Sequence, residues 1–258
     1  MRVLYPGLAR RPVAFGHATS PEIHLRLLMP TLHHYPLLAG SRFIRLVLAE
    51  YGEEVILVDE PPWERGEALL KLNPAGELPI FVDDDGAVIA GAPVIAEYLA
   101  ETRGARVGEQ VLMPASPAER AETRRLMTWF LGKMEAEVTG YLLTEKVYKR
   151  RMTVADGGGP PDAAAIRAAR ANIKYHLRYI GYLAARRNWL AGRELSLADL
   201  ATAAELSTVD YLGEVPWEED AMAKAWYARV KSRPSFRALL ADQVRGMPAA
   251  THYADLDF

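Results

Sequence analysis

The sequence of 258 residues contains no cysteine. Disulfide bonds, thiolate nucleophiles and cysteine-ligated metals are therefore excluded. The sequence also lacks any apolar run close to the roughly 20 residues that are needed to span a bilayer. Arg10 and Arg11 interrupt the N-terminal apolar stretch, so a signal-peptide core is absent. We expect no membrane insertion and a cytoplasmic location.

A strong charge of either sign is missing as well, because the net charge is only −2. No global field attracts nucleic acid or an anionic membrane, and we expect no nucleic-acid partner. Half of the residues are apolar and a quarter are charged, which is typical of a globular protein with a sizeable core.

Hydrophobic periodicity divides the chain into segments. Residues 1–28 hold four arginines, three prolines and one acid without a steady period, so we interpret them as a poorly ordered extension. A clean strand pattern begins at Met29, which is therefore a candidate for the first translated residue. Residues 29–104 follow a β-α-β-α-β-β-α order, which is the thioredoxin arrangement. A linker over 105–114, an all-helical domain over 115–245 and a tail over 246–258 complete the prediction.

Capping residues predict where several helices begin. Ser41 is expected to cap a helix over Arg42–Tyr51. Ser116 and Ser196 each open a capping-box pattern in the helical domain.

The segment Ala75–Leu99, AGELPIFVDDDGAVIAGAPVIAEYL, resembles the core of glutathione transferases. The segments His33–Glu50 and Leu195–Leu200 resemble the first strand and helix of that family and a helix cap in its C-terminal domain. The resemblance covers most of the chain from Met29 onward. It implies a glutathione-transferase-like fold, α/β plus all-α, with an N-terminal thioredoxin-like domain and a C-terminal helical domain. It also implies a cis peptide bond before Pro79.

The same resemblance locates a glutathione site that lacks two expected side chains. Transferases usually carry Glu or Gln followed by Ser after the fourth strand, and both groups reach the γ-glutamyl end of glutathione. Gly91 and Ala92 occupy those positions here. A charge-assisted hydrogen bond contributes about 1.5–3 kcal/mol, so losing two weakens binding by roughly 10²-fold or more. We expect no bound cofactor, and Pro79, Gly91 and Ala92 are interpreted as a vestigial site.

The thiol-activating residue of the family also has no clear equivalent. The family places a Tyr, Ser or Cys after the first strand, whereas the loop Pro36–Gly40 is apolar. Tyr35 and Ser41 are the hydroxyls nearby, and we interpret Tyr35 as a core residue. Ser41 is a catalytic candidate only if the chain is a transferase. We therefore expect no enzymatic activity, with a glutathione-dependent transferase of atypical site as the alternative.

Two clusters of metal-ligand residue types are not expected to bind metal. His33 and His34 are adjacent on a strand and face opposite sides. Asp83–Asp85 lacks the alternating ligands and distal glutamate of a calcium loop, so it is interpreted as a hairpin turn.

Basic residues are concentrated between Leu142 and Arg187, where ten of them oppose three acidic residues. Arg150 ends one predicted helix within this region. Four others are three or four residues apart and line one face of the next helix: Arg167, Arg170, Lys174 and Arg178. This face is either solvated or, together with nearby tyrosines, a surface for a protein partner.

The C-terminus ends in HYADLDF. Tyr253, Leu256 and Phe258 offer apolar anchors, while Asp255 and Asp257 add negative charge next to the terminal carboxylate. A tail this short either docks on its own domain or is recognised by a partner.

Three features together resemble a narrower family: the transferase-like body with an incomplete glutathione site, the run Glu145–Arg150, and the ending Tyr253–Phe258. They are similar to the FzlA family of alphaproteobacterial cell-division proteins, which localise with and bind FtsZ. The resemblance implies a non-catalytic cytoplasmic homodimer at the division site that binds FtsZ filaments, promotes their curvature and supports constriction. It implies partner contacts in the tail and on the basic helix faces. A structural subunit of another complex is a further possibility.

Overall fold

The computed structural model describes residues 29–104 and 111–256. The extension predicted over 1–28, most of the predicted linker, and Asp257 and Phe258 lie outside the described residues.

The first domain is built on a four-stranded sheet with the order β2-β1-β3-β4. Strand β1 pairs in parallel with β2 and antiparallel with β3, and β3 pairs antiparallel with β4. The predicted thioredoxin arrangement is therefore confirmed. Its elements, in chain order, are β1 Thr31–His34, α1 Ala39–Glu50, β2 Ile56–Asp59, α2 Glu67–Leu72, β3 Ile80–Val82, β4 Val88–Ala90 and α3 Ala92–Thr102.

The turn between β3 and β4 is the hairpin that the Asp83–Asp85 run predicted. The Gly86 N–H donates to the Asp83 carbonyl at 3.0 Å, and Gly86 has a φ of +86° that favours glycine. The Asp83 carboxylate accepts hydrogen bonds from Arg103 and from the Tyr98 hydroxyl. These bonds fasten the hairpin to the end of α3.

The predicted capping role of Ser41 is wrong. Helix α1 begins at Ala39, with Leu38 at the N-cap position, and Ser41 lies inside the first turn. Its Oγ accepts a hydrogen bond from the Tyr35 N–H at 3.3 Å, so it joins the end of β1 to the helix instead. Gly40 in this first turn passes close to Ala92, because a Cβ added at Gly40 would lie only 3.2 Å from the Ala92 Cβ.

The second domain is helical, and its long first helix changes from α-helical to π-helical hydrogen bonding after Thr128. Helix α4 begins at Pro117 as predicted, although the Ser116 side chain makes no capping hydrogen bond. A π-helix follows it directly, a form that occurs often at functional sites. The longer elements are α4 Pro117–Thr128, the π-helix Trp129–Thr139, α5 Gly140–Lys146, α6 Ala163–Ala184, α7 Leu197–Tyr211, α8 Ala221–Lys231 and α9 Arg237–Leu240. Short 3₁₀ turns lie at Tyr148–Arg150, Val154–Asp156, Trp217–Glu219 and Pro234–Phe236.

Helix α7 is the centre of the molecule, since every one of its residues is buried. The capping box predicted at its start is confirmed, because the Ser196 N–H donates to the Asp199 carboxylate at 3.1 Å. Asp210 is one of its buried polar groups with an internal partner, because its carboxylate lies 3.3 Å from the Lys231 Nζ. Helix α7 packs against α1, which joins the two domains.

Arg42 is the polar centre of this domain junction, and its side chain is fully buried. Its guanidinium is stabilised by neutral acceptors and one carboxylate, so a buried charge is compensated. The acceptors are the Pro36 carbonyl at 2.7 Å, the Ser207 Oγ at 3.1 Å, the Tyr253 hydroxyl at 2.7 Å and the Asp242 carboxylate at 3.2 Å.

Buried His34 makes stability depend on pH. Burial and the nearby positive charge of Arg45 lower the pKa of His34 from 6.5 to about 4. Asp59 lies 3.1 Å from its Nε2, but that carboxylate is 75% exposed and is screened by water. The folded state therefore binds fewer protons than the unfolded state between these two pKa values.

We expect the free energy of unfolding to be highest above pH 6.5 and to fall as the pH drops toward 4, by up to about 3 kcal/mol. Urea titrations across this range measure the slope. His34→Gln removes the titrating group, so its slope should be shallower. An unchanged slope in that variant would contradict the assignment.

Candidate binding sites: the interdomain cleft and the C-terminal tail

A cavity of about 610 Å³ lies between the two domains. The first domain contributes the loop before Pro79 and the start of α3 at Gly91. The helical domain contributes the π-helix, α5 and α7. The lining residues are Leu38, Gly40, Pro62, Gly76, Glu77, Leu78, Gly91, Ala92, Pro93, Leu131, Glu135, Gly140, Thr144, Tyr148 and Glu205.

The edge of the cleft has the backbone of a glutathione site without its side chains. The Leu78–Pro79 peptide bond is cis, as the resemblance to transferases implied. Gly91 occupies the N-cap position of α3 with a φ of +89°, and its N–H already donates to the Pro79 carbonyl at 3.0 Å. Gly91 and Ala92 therefore leave only backbone and helix dipole for a ligand carboxylate.

Ser41 does not line this cleft. Its side chain is fully buried, and its Oγ is bonded to the Tyr35 N–H. This geometry gives no support to Ser41 as a thiol-activating residue, because its hydroxyl is buried and is not part of the cavity lining. Tyr35 is buried as predicted, with its ring 5.5 Å from that of Trp63 and 6.1 Å from that of Tyr148.

Two carboxyl groups at the inner wall of the cleft were missed by the sequence reasoning. Glu205 on α7 is fully buried and accepts a hydrogen bond from the Thr139 hydroxyl at 2.5 Å. Glu135 lies opposite on the π-helix. Burial raises the pKa of both carboxyls, and repulsion from Glu135 raises the pKa of Glu205 further. A sequence signal did exist, since Glu205 is an isolated acid between alanine and leucine in α7.

The lining has no counter-charge for an anionic ligand. None of the described residues around the cavity is Lys, Arg or His, whereas three are glutamates. Glutathione carries two carboxylates, and this lining offers no cationic side chain to pair with them. The cleft therefore combines a transferase-like position with an electrostatic character that is unfavourable for glutathione.

The four basic residues predicted on one face of α6 lie on that helix, but three of them form ion pairs with glutamates. The Arg170 guanidinium lies 2.5 Å from the Glu214 carboxylate, and Lys174 and Arg178 both contact Glu219. Arg167 is exposed, as is Arg150 before α6. Within 29–104 and 111–256 neither of these two arginines has a carboxylate at ion-pair distance.

Exposed aromatic groups accompany these cations. Tyr175 and Tyr182, seven residues apart on α6, are each about half exposed. The Arg186 guanidinium lies 3.7 Å from the centre of the Tyr182 ring. Arginine with tyrosine is a composition that is enriched at protein interfaces.

The structure corrects the expectation that Tyr253 contacts a partner. Only 1% of Tyr253 is exposed, because the tail docks on its own domains. The Tyr253 hydroxyl accepts from Arg42 at 2.7 Å and donates to the Leu239 carbonyl at 3.1 Å. The Tyr253 ring meets the Tyr211 ring edge-on at 5.2 Å. Tyr253 is thus an internal anchor.

Further contacts hold the tail on both sides of this anchor. The Tyr211 hydroxyl accepts from the Val244 N–H and donates to the Met247 carbonyl. The His252 Nε2 lies 3.0 Å from the Asp210 carboxylate. Beyond the anchor, Asp255 and Leu256 are exposed. Asp257 and Phe258 lie outside the described residues.

Two further features bear on ligands and membranes. Asp83, Asp84 and Asp85 can bring carboxylate oxygens within 4.8 Å of one another, but Asp83 is already bonded to Arg103 and Tyr98. Across the described ranges, no helix has the length and apolar character required to cross a membrane.

Family models for the two halves of one fold match this chain. The glutathione S-transferase N-terminal domain matches residues 41–102, and the glutathione S-transferase C-terminal domain matches residues 114–234. FtsZ-localized protein A of Caulobacter vibrioides (strain NA1000 / CB15N) is 45% identical over 88% of this chain and 98% of that protein.

Two solved structures agree with this relationship. FzlA from C. crescentus has a TM-score of 0.82 and 44% identity, covering 89% of this chain and all of that one. A glutathione S-transferase from Sinorhizobium meliloti 1021 has a TM-score of 0.87 and 51% identity over the same shares. The chain therefore belongs to the glutathione S-transferase-like family that includes FtsZ-localized protein A.

Proposed function

We propose that this chain is a cell-division protein that binds FtsZ filaments, promotes their curvature and supports constriction from the cytoplasmic side of the division site. Its relation to FtsZ-localized protein A supports this role. The observation that carries the proposal is that the C-terminal tail is docked on its own domains through Tyr253. Tyr253 fixes the chain internally, so Asp255 and Leu256 are presented on the surface at a defined place.

The tail and α6 form the proposed contact set. The tail supplies Asp255, Leu256, Asp257 and Phe258. Arg150 and Arg167 supply exposed cations, and the paired cations Arg170, Lys174 and Arg178 extend the same region. The tail is docked up to Leu256, and a docked segment loses less conformational entropy on binding than a free one.

A homodimer fits this function, because a two-fold assembly presents each surface twice and can bridge filaments. Sedimentation equilibrium of the full chain tests it. We expect the mass of two chains, and the mass of one chain at all concentrations would contradict the dimer.

Charge reversal in the tail tests the contact itself. We expect Asp255→Lys to weaken co-sedimentation with polymerised FtsZ by about tenfold or more, since a charge-assisted contact is lost. The melting temperature should fall only slightly, because Asp255 is exposed and its charge acts on Lys231 only at a distance.

The matched control is Asp84→Lys, which makes the same charge change on the exposed hairpin. It should pellet like the original chain. Equal pelleting of both variants would remove Asp255 from the contact set.

We further propose that the chain does not catalyse glutathione transfer. The support is the missing side chains at Gly91 and Ala92, the buried Ser41 and the cleft without cationic lining residues. The alternative is a glutathione-dependent transferase, which the resemblance to the Sinorhizobium meliloti transferase favours. Millimolar glutathione should leave the melting temperature unchanged. A rise of several degrees would favour the alternative, because ligand binding stabilises the folded state.

A further inference from the structure

One wall of the cleft is held by side chains from the interior of the molecule. Leu38 lines the cavity and is the N-cap residue of α1. The carbonyl of Pro36 accepts a hydrogen bond from the Arg42 Nε at 2.7 Å, and the carbonyl of Leu37 accepts one from the Thr208 hydroxyl at 3.0 Å. The position of the loop that carries Leu38 therefore depends on Arg42 and Thr208.

Arg42 is held in turn by the C-terminal segment. Its Nη1 donates to the Tyr253 hydroxyl at 2.7 Å, and its Nη2 donates to the Asp242 carboxylate at 3.2 Å. The guanidinium carbon also lies 5.7 Å from the centre of the Tyr253 ring. Direct contacts thus connect the tail to the wall of the cleft through a single buried guanidinium.

The tail is a substantial part of the environment of Arg42. An arginine stays charged in proteins, and a buried donor that loses its acceptor is costly. Release of the tail removes the Tyr253 hydroxyl and opens the space that its ring fills, so the guanidinium can turn toward water. Such a turn takes the Nε away from the Pro36 carbonyl and frees the loop.

We infer that docking of the tail and the conformation of the cleft are coupled. Docked Tyr253 fixes Arg42, and Arg42 fixes the Pro36 carbonyl and with it the wall at Leu38. The two states are the docked and the released tail, and both sites bias the balance between them. The coupling is reciprocal, so a molecule that requires the ordered wall stabilises the docked tail, and a partner of the docked tail stabilises the wall.

Hydrogen–deuterium exchange of the full chain, followed by mass spectrometry, tests this coupling. Tyr253→Phe keeps the ring and removes the hydroxyl that binds Arg42. We expect amides of the loop over 36–41 to exchange about fivefold faster or more, the lower end of an ordinary coupling free energy. Tyr253→Ala should increase their exchange further. Helix α3 of the same domain is the internal reference, because a loss of global stability accelerates exchange in both segments alike.

Tyr98→Phe is the matched control for this measurement. It also removes a tyrosine hydroxyl in the first domain, but that hydroxyl donates to Asp83 at 2.6 Å and has no contact with Arg42. Exchange of the loop should stay as in the original chain. Loop exchange that is unchanged in both Tyr253 variants, that rises only in step with α3, or that rises equally in Tyr98→Phe would overturn the inference.

The reverse direction is tested from the cleft side. The chain has no cysteine, so Leu256→Cys carries a single spin label on the exposed tail. In this background Thr208→Val removes the hydroxyl that holds the Leu37 carbonyl, and we expect the label to become more mobile. The control is Thr202→Val on the same helix, whose hydroxyl bonds only the Ala198 carbonyl.

Equal mobility of the label in the two threonine variants would also overturn the inference, because a coupling that acts in one direction only is thermodynamically impossible. None of these readouts involves FtsZ, so the coupling is tested independently of the proposed function.

Discussion

Replacing Arg42 with methionine is expected to lower the free energy of unfolding by about 3–5 kcal/mol. The side chain is fully buried and donates to groups from the loop before α1, from α7 and from the tail. Methionine fills much of the volume but leaves the Tyr253 hydroxyl without that donor. Asp242 retains the Arg45 guanidinium at 2.8 Å, so the buried carboxylate is not entirely uncompensated.

Urea denaturation of the purified chain measures this loss. Arg150→Met is the matched control, because it removes the same group from an exposed position and should change stability by less than about 0.5 kcal/mol. Similar stability of the two variants would show that Arg42 does not hold the domain junction.

Replacing Tyr253 with alanine is expected to cost a similar amount, about 3–5 kcal/mol, because it removes a buried aromatic ring and leaves a cavity. The loss extends to the tail. Without the ring against Tyr211 and the bond to Arg42, residues 254–256 are no longer held in place. Tyr253→Phe keeps the ring and loses only the hydroxyl, so about 1–3 kcal/mol is expected.

These two variants also separate anchoring from direct contact. At a temperature where both are folded, Tyr253→Ala should bind FtsZ filaments more weakly than Tyr253→Phe, because its tail is undocked. Trypsin should cleave the alanine variant faster at Arg245, which lies within the docked segment. Equal binding and equal cleavage would contradict the anchoring role.

Local patterns were sufficient to predict the element order of the first domain. Strand alternation and the Asp83–Gly86 turn depend on neighbours in sequence, and each is present as expected. The transferase-like fold and the cis bond before Pro79 came from the resemblance to glutathione transferases, and the structure has both. The vacated positions at Gly91 and Ala92 could also be read directly, because the residue types themselves lack the required side chains.

Contacts between residues that are far apart in the chain could not be predicted from local sequence patterns. Tyr253 is buried by contact with Arg42, which is 211 residues away, so its exposed appearance in the tail sequence was misleading. Ser41 looked like a helix cap because capping is a local rule, but Leu38 takes that position where α1 meets α3. The meeting of Glu135 with Glu205 likewise depends on how the π-helix packs on α7.

We propose that a transferase scaffold with a vacated glutathione site serves here as a filament-binding protein. Co-sedimentation of the full chain with polymerised FtsZ at moderate salt tests it most directly. We predict that the chain pellets with the filaments well above the background of chain alone. Pelleting no greater than that background would contradict the account.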